Sequence, residues 1–187
     1  LSNFADLFKA LQDIPDAMNR AQRKAMKRSA AIVMGVAKAK LGTYQSASGA
    51  FISWAKLKPE TVRRKHLSKT GSGKLSRAGK AYIKKHGSWG AGGNDDSPLS
   101  QMGHLRQAIT TDFSDISRGV AYVGVAAGSN AEGKGSPSDY AAAHEFGYAP
   151  KNLPARPYLR PALEESKVNI REEAAKAITE ELRRFGK

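Results

Sequence analysis

Three prolines within eight residues, in Pro154-Ala-Arg-Pro-Tyr-Leu-Arg-Pro161, constrain this chain more than any other feature. A proline fixes its own φ, removes a backbone donor and pushes the residue before it toward extended geometry. Pro154 and Pro157 therefore force an extended path, and Arg156–Arg160 reads as a strand. Pro161 suits the first turn of a helix. Behind it Leu163, Ile170, Ala174, Ile178, Leu182 and Phe185 trace an apolar stripe at helical spacing. Glu164-Glu165, Glu172-Glu173 and Glu180-Glu181 fall on the opposite face, where Glu165–Arg171 and Glu180–Arg184 read as solvated charge pairs.

Upstream of the prolines, Ser138 or Asp139 is placed to cap a short helix through His144, and Gly147 to end it. Leu105–Phe113 and Gly119–Val125 read as two strands joined by a polar turn around Ser114–Arg118, followed by a glycine-rich loop from Gly128 to Pro137. Near the start, Phe4, Leu7, Phe8 and Leu11 predict a short amphipathic helix over residues 2–12. Asp13-Ile-Pro15 is expected to break it. A second helix then runs to near Gly42 with Ile14, Met18, Ala21, Ala25, Ile32 and Val36 inward and Arg20, Arg23, Lys24, Lys27 and Arg28 outward. The expected architecture is α+β. Residues 1–42 form N-terminal helices, residues 43–98 a basic Gly/Ser/Lys-rich excursion, and residues 99–187 a β-β-α-β-α core with a small antiparallel or mixed sheet and a long C-terminal helix. The three parts make one domain overall.

Charge is distributed unevenly. The chain carries 31 basic and 17 acidic side chains, a net charge of +14. Residues 1–40 hold 8 basic and 3 acidic groups, residues 41–93 hold 11 and 1, and residues 94–187 hold 12 and 13. The excess lies in the first half and points to an acidic partner there, nucleic acid or an acidic protein surface. The plainer alternative is a solvated basic loop that keeps the protein soluble. Arg63, Arg64, Lys65, Lys80, Lys84 and Lys85 are the candidate contacts, in an excursion expected to order mainly when bound. Pro59–Lys65 within it predicts a helical turn or two. Trp54 reads as core and Trp89, in the glycine tract Gly87–Gly93, as an exposed aromatic. The absence of cysteine excludes disulfides, Cys-ligated zinc and thiol nucleophiles. The longest apolar run, Ser29–Ala37, is too short to span a bilayer, so no membrane partner is expected. The chain opens on Leu1, from which a preceding start residue or short leader is expected.

Two stretches imitate catalytic motifs. His144-Glu145 resembles the start of a zinc-protease helix, but the second histidine belongs at position 148, which is Tyr148, and Gly147 breaks the helix. Thr70-Gly-Ser-Gly-Lys-Leu75 imitates a phosphate loop, yet the required glycine and hydroxyl positions hold Ser68 and Leu75. The glutamate pairs sit on one exposed helix and not across a cleft, and no serine has a nucleophile-elbow setting. The sequence predicts no catalytic residue, no metal ligand and no cofactor.

The stretch Tyr140-Ala, His144-Glu-Phe-Gly147 and Pro154-Ala-Arg-Pro-Tyr-Leu-Arg-Pro-Ala-Leu163 resembles the pattern YA…HEFG…PARPFLRPAL. That pattern belongs to the virion-morphogenesis, tail-completion or neck proteins of tailed bacteriophages. Trp54–Lys65 is similar to a further family pattern, and Pro98–Ile109 to its L…TGxLRxSI element, with Met102 in place of threonine. Val123-Gly-Val125 matches its second strand. The lysine-rich insertion from about Lys69 to Gly93 is longer than the family pattern. The resemblance implies a structural virion protein acting as a homo-oligomeric ring at the head–tail junction, sixfold or, on the head side, twelvefold. Its partners would be the connector, tail tube or terminator, with DNA passing through the lumen as a candidate further contact, and it would assemble in the bacterial host cytoplasm. A nucleic-acid-binding phage accessory protein and a tail terminator or head-side connector are the alternatives. His144, Glu145, Phe146, Gly147, Pro154, Ala155, Arg156, Pro157, Tyr158 and Arg160 are the implied motif and interface residues. Phe146 is expected to anchor the turn beneath Gly147. Arg156, Tyr158 and Arg160 are expected to share one side of a strand, with one arginine paired to Glu145.

Overall fold

The computed structural model describes residues 4–68, 71–89, 98–100, 103–128 and 136–184, and for residues 4–10 the backbone alone. The expectations for Lys69, residues 90–93, Met102, residues 129–135 and Phe185 lie outside the described residues. Along the chain run α1 (Phe4–Lys40), α2 (Pro59–Lys65), α3 (Arg77–His86), α4 (His104–Ala108), β1 (Ile109–Asp112), a 3-10 turn (Ile116–Arg118), β2 (Tyr122–Val125), α5 (Pro137–Phe146), a second 3-10 turn (Ala149–Lys151) and α6 (Leu159–Leu182). The fold is α+β and ends in the long C-terminal helix. β1 and β2 pair antiparallel, with Ile109 opposite Val125 and Asp112 opposite Tyr122. The chain clusters into two compact units: Leu1–Lys38, Ile109–Ala126 and Leu159–Lys187 form one, Ala39–Ala108 and Ala127–Tyr158 the other. Among the described residues no helix is long and apolar enough to cross a membrane.

In the first unit α1 is a single helix with Pro15 inside it, not two helices broken at Asp13–Pro15. A proline removes one i→i−4 bond, and strong helix formers on both sides (Ala10, Leu11 and Gln12 before, Ala17 and Met18 after) carry the helix across. Residues 11–16 are all exposed, and Ala17 is the first buried position after them. The buried apolar positions of α1 are small, Ala17, Ala21, Ala30, Val33 and Ala37, with Ser29 and Lys40 buried beside them. Ile14, expected inward, is 37% exposed.

The last helix also turns a face other than the expected one. Pro161, Ala162, Ser166, Ala177 and Glu181 are buried, whereas Leu163, Ile178 and Leu182 are 49%, 42% and 48% exposed. Long ionic side chains explain the rotation. Arg20 Nε lies 3.1 Å from Glu181, Arg28 Nη1 lies 3.0 Å from Glu180 and 3.6 Å from Glu173, and Lys24 also joins Glu180. α1 positions rise as α6 positions fall, so the helices run antiparallel, tied at side-chain length. The glutamates expected in free solution are the tie, and Glu181 adds a bond to Arg184 at 3.1 Å.

In the second unit, residues Leu105–Ala108, expected to begin the first strand, are helical instead. Gly103 adopts φ 73°, and the Gln107 N–H bonds back to its carbonyl at 3.0 Å, so a helical turn opens there. Leu105 and Ala108, three apart, both bury. The Arg106 guanidinium donates to the Leu41 carbonyl, and Gly42 N–H to Pro98 O at 2.9 Å.

Hydrogen bonds from Lys24 and Arg28 hold the Glu180 carboxyl at about 2, below its ordinary 4.5. A depressed carboxyl stabilises above its unfolded pKa, so this contribution is lost as pH falls from about 4.5 toward about 2. Melting temperature followed against pH should drop over that window, and Glu180→Gln should flatten the drop. Added salt should shrink the difference, because the pair is solvent-accessible.

Candidate functional site

The residues that carry the phage resemblance assemble a buried turn in the second unit. α5 starts with a cap at Ser136, ahead of the expected Ser138 or Asp139. The Ser136 N–H donates to Asp139 Oδ2 at 2.8 Å and the Asp139 N–H to the Ser136 carbonyl at 2.9 Å, with Pro137 in the first turn. α5 ends at Gly147, whose φ of 83° and ψ of 166° belong to a region open essentially to glycine alone. A side chain there would also stand 3.1 Å from the Ala155 nitrogen and 3.2 Å from the Leu153 carbonyl. Tyr148 and Leu153 then exchange two backbone bonds, at 2.9 and 3.1 Å, around the Ala149–Lys151 turn.

Residues 154–158 are extended but form no strand. Pro154 and Pro157 offer no N–H, so the donors left are those of Ala155, Arg156 and Tyr158. Arg156 N–H goes to the His144 carbonyl at the end of α5, 2.6 Å away, and Tyr158 N–H to Glu145 Oε2 at 2.7 Å. Two of the three donors are used by a helix end and a carboxylate, which leaves no ladder for a third strand. The Arg156 guanidinium donates to the Ala55 carbonyl at 3.0 and 3.3 Å and is not the partner of Glu145. Trp54 Nε1–H reaches the Pro157 carbonyl at 3.1 Å, and Trp54 is core as expected. Glu145, Arg156 and Tyr158 are 3%, 4% and 0% exposed. Arg160 is exposed in the first turn of α6. Phe146 is the clear reversal: it is 65% exposed and is not the buried anchor expected beneath the turn. Glu145, one position earlier, takes the inward place.

Two ring groups answer to this burial. Burial and the nearby Arg156 charge push the His144 imidazole down to about 4. Burial, then the Glu145 charge, pushes the Tyr158 phenol up.

A second arrangement lies in the basic excursion. α2 forms at Pro59–Lys65 as expected, and α3 forms where a mostly flexible tract was expected. The Ser76 hydroxyl accepts from Gly79 N–H at 3.0 Å and Gly87, at φ 73°, closes the far end. Leu67 and Leu75 bridge, and Ser76 N–H bonds the His66 carbonyl at 2.9 Å. Gly79 passes so near that a Cβ would sit 2.6 Å from that carbonyl. Tyr82 centres a ring cluster: Trp89 stacks at 5.3 Å and 7°, His66 lies at 4.7 Å and His86 at 4.5 Å. Trp89 is therefore folded onto Tyr82, half-buried, and not the free aromatic expected. Gly79, Tyr82 and His86 share the inward face of α3 at i, i+3, i+7. Arg77, Lys80 and Lys84 share the opposite, exposed face, with Lys85 exposed beside them. On α2, Arg63 and Arg64 are exposed and both approach Glu60, at 3.7 and 3.2 Å, while Lys65 is half-buried.

Among the described residues no three His, Asp or Glu side chains converge as a metal set. The chain matches no protein-family model, no curated protein and no solved structure.

Gly147→Ala should destabilise the protein by about 1–3 kcal/mol, since it combines a glycine-only backbone with close backbone atoms; urea unfolding measures it. Acidification provides a separate test. The unfolded chain takes up a proton on His144 near pH 6.5 that the folded turn resists until about 4, so stability should fall as pH drops through that window. His144→Gln should remove this part of the pH profile and leave the lower, Glu180 part intact.

Proposed function

We propose that this protein is a non-enzymatic structural component of a tailed-phage virion, acting as a ring of identical subunits at the head–tail junction. The observation that carries the reading is the way the resembling residues are used. Glu145 and Arg156, the two charged groups at the centre of the motif, accept from or donate to backbone at Tyr158 and Ala55 while almost fully buried. Groups committed in this way fix a turn and have no reach toward a substrate. A rigid turn joined to the start of a long helix suits a subunit that must present the same surface to each neighbour around a ring, by a head-to-tail contact that closes on itself. Sixfold symmetry follows from the tail, twelvefold from the head side.

A second reading, a DNA-binding accessory protein, is favoured by the exposed Arg77, Lys80 and Lys84 stripe on α3. In the neck reading the same stripe faces DNA in the lumen or an acidic neighbour.

Particles made without this gene should contain filled heads beside finished, unattached tails when viewed by electron microscopy; intact infectious virions would sink the neck reading. The second reading predicts salt-sensitive DNA binding by the isolated protein. Neutralising Lys80, Lys84 and Lys85 together should then lower the slope of log affinity against log salt by roughly 2–3.

A further inference from the structure

In the first unit α1 and α6 are held apart by their ionic bridges, and an apolar groove of about 800 Å³ opens between them and the β-hairpin. Met18, Met26, Val33, Val123, Leu163 and Ile178 are among its walls. This is why Leu163 and Ile178, apolar and in the middle of a helix, remain 49% and 42% exposed. Exposed apolar surface of this extent marks a binding face.

The chain carries a segment that matches it. Ahead of Ala17, α1 runs on with residues 11–16 exposed, Leu11 at 53% and Ile14 at 37%. The sequence continues their spacing backward through Phe8, Leu7 and Phe4. Such a projecting stretch is too short to hold as an isolated helix in water and is stabilised when its apolar side is covered. Its length fits: Phe4–Asp16 makes about 20 Å of helix, and the groove follows α1 from Met18 to Val33, about 22 Å. Its charge fits as well. Asp6, Asp13 and Asp16, with Lys9, make it acidic within a basic half, and Arg160 is the one charged residue among the described groove-lining residues. The segment does not reach its own groove, because α1 continues unbroken from it into the wall that Met18–Val33 form.

We infer that the groove between α1 and α6 receives the N-terminal helical segment, residues 4–16, of a second copy of this chain. The mode is an amphipathic helix laid into a groove through i, i+3, i+4 and i+7 anchors. The inference deepens the ring reading by naming its subunit contact, and rests on that reading only for the closure of the ring.

The absence of native cysteine gives a clean test. A Leu11→Cys chain is mixed with an Ile178→Cys chain in a glutathione redox buffer, with Val168→Cys, 61% exposed on α6 and outside the groove, as the control partner. The expected result is a disulfide-linked heterodimer that forms with Ile178→Cys and not with Val168→Cys. In the otherwise native chain, Leu11→Asp with Ile14→Asp should weaken self-association roughly 100-fold by sedimentation, without loss of helicity at an exposed site. Four results would each overturn the inference: equal linkage to the control, Ile178–Ile178 dimers in place of the mixed one, an intrachain bond in a chain that carries both Leu11→Cys and Ile178→Cys, or no linkage. None of them bears on whether the gene-deletion particles lack a junction, so the two failures are distinguishable.

Discussion

The bond from Tyr158 N–H to the Glu145 carboxylate is the constraint on which the second unit depends. A segment with prolines at 154 and 157 has few backbone donors, and each must find an acceptor once it is buried. Glu145 supplies one, from a side chain, to Tyr158, and the His144 carbonyl at the end of α5 supplies another to Arg156. An unsatisfied buried donor costs about 1–3 kcal/mol, a large share of a small protein's stability. Gly147 is needed because the chain must reverse within a few residues for those acceptors to meet those donors. The guanidinium of Arg156, on the Ala55 carbonyl, and the indole of Trp54, on the Pro157 carbonyl, then fasten the segment to residues 54 and 55. The proline-rich stretch is held by its polar groups more than by its apolar ones.

Charge is handled in opposite ways by the two units. In the first, Arg20, Lys24 and Arg28 are met by Glu173, Glu180 and Glu181, so cations that look solvent-facing in the sequence are spent internally. In the second, the cations of α3 face outward behind a ring cluster that fixes the helix from its other side. The net charge therefore misleads if it is spread evenly over the chain. The part free to meet an acidic surface is concentrated on α3 and, less so, on α2, where Glu60 offsets two arginines.

Much of the fold is written locally and so was legible in the sequence. Pro59 opening a helix, Gly147 ending one, the turn at Ser114–Arg118, the strand pair and the buried Trp54 follow from backbone chemistry or size. Three of the misreadings share a cause: a partner elsewhere in the chain decided the outcome. Phe146 looked like the anchor, but the Tyr158 donor required a carboxylate inward one residue earlier. Leu163 and Ile178 looked like core, but the cations of α1 drew the glutamate edge of α6 toward them and left the larger residues lining a groove. Arg156–Arg160 looked like a strand until its donors were taken elsewhere. α3 was hidden by composition, because glycine and lysine suggested a flexible tract while Ser76 and Gly87 supplied its two caps. That last signal was present and local, and a search for caps would have found the helix.

The ties between α1 and α6 join positions 161 and 152 residues apart. During synthesis α1 emerges well before α6, the helix whose glutamates meet its basic face, has followed. Until then the first unit has no means of completing itself, since the intervening stretches belong in large part to the other one. Contacts so far separated in sequence delay folding, because loop-closure entropy must be overcome before they contribute. Between those two events the basic face of α1 lacks the three glutamates that meet it in the folded chain, so the pairing of Arg20, Lys24 and Arg28 belongs to a late step of folding.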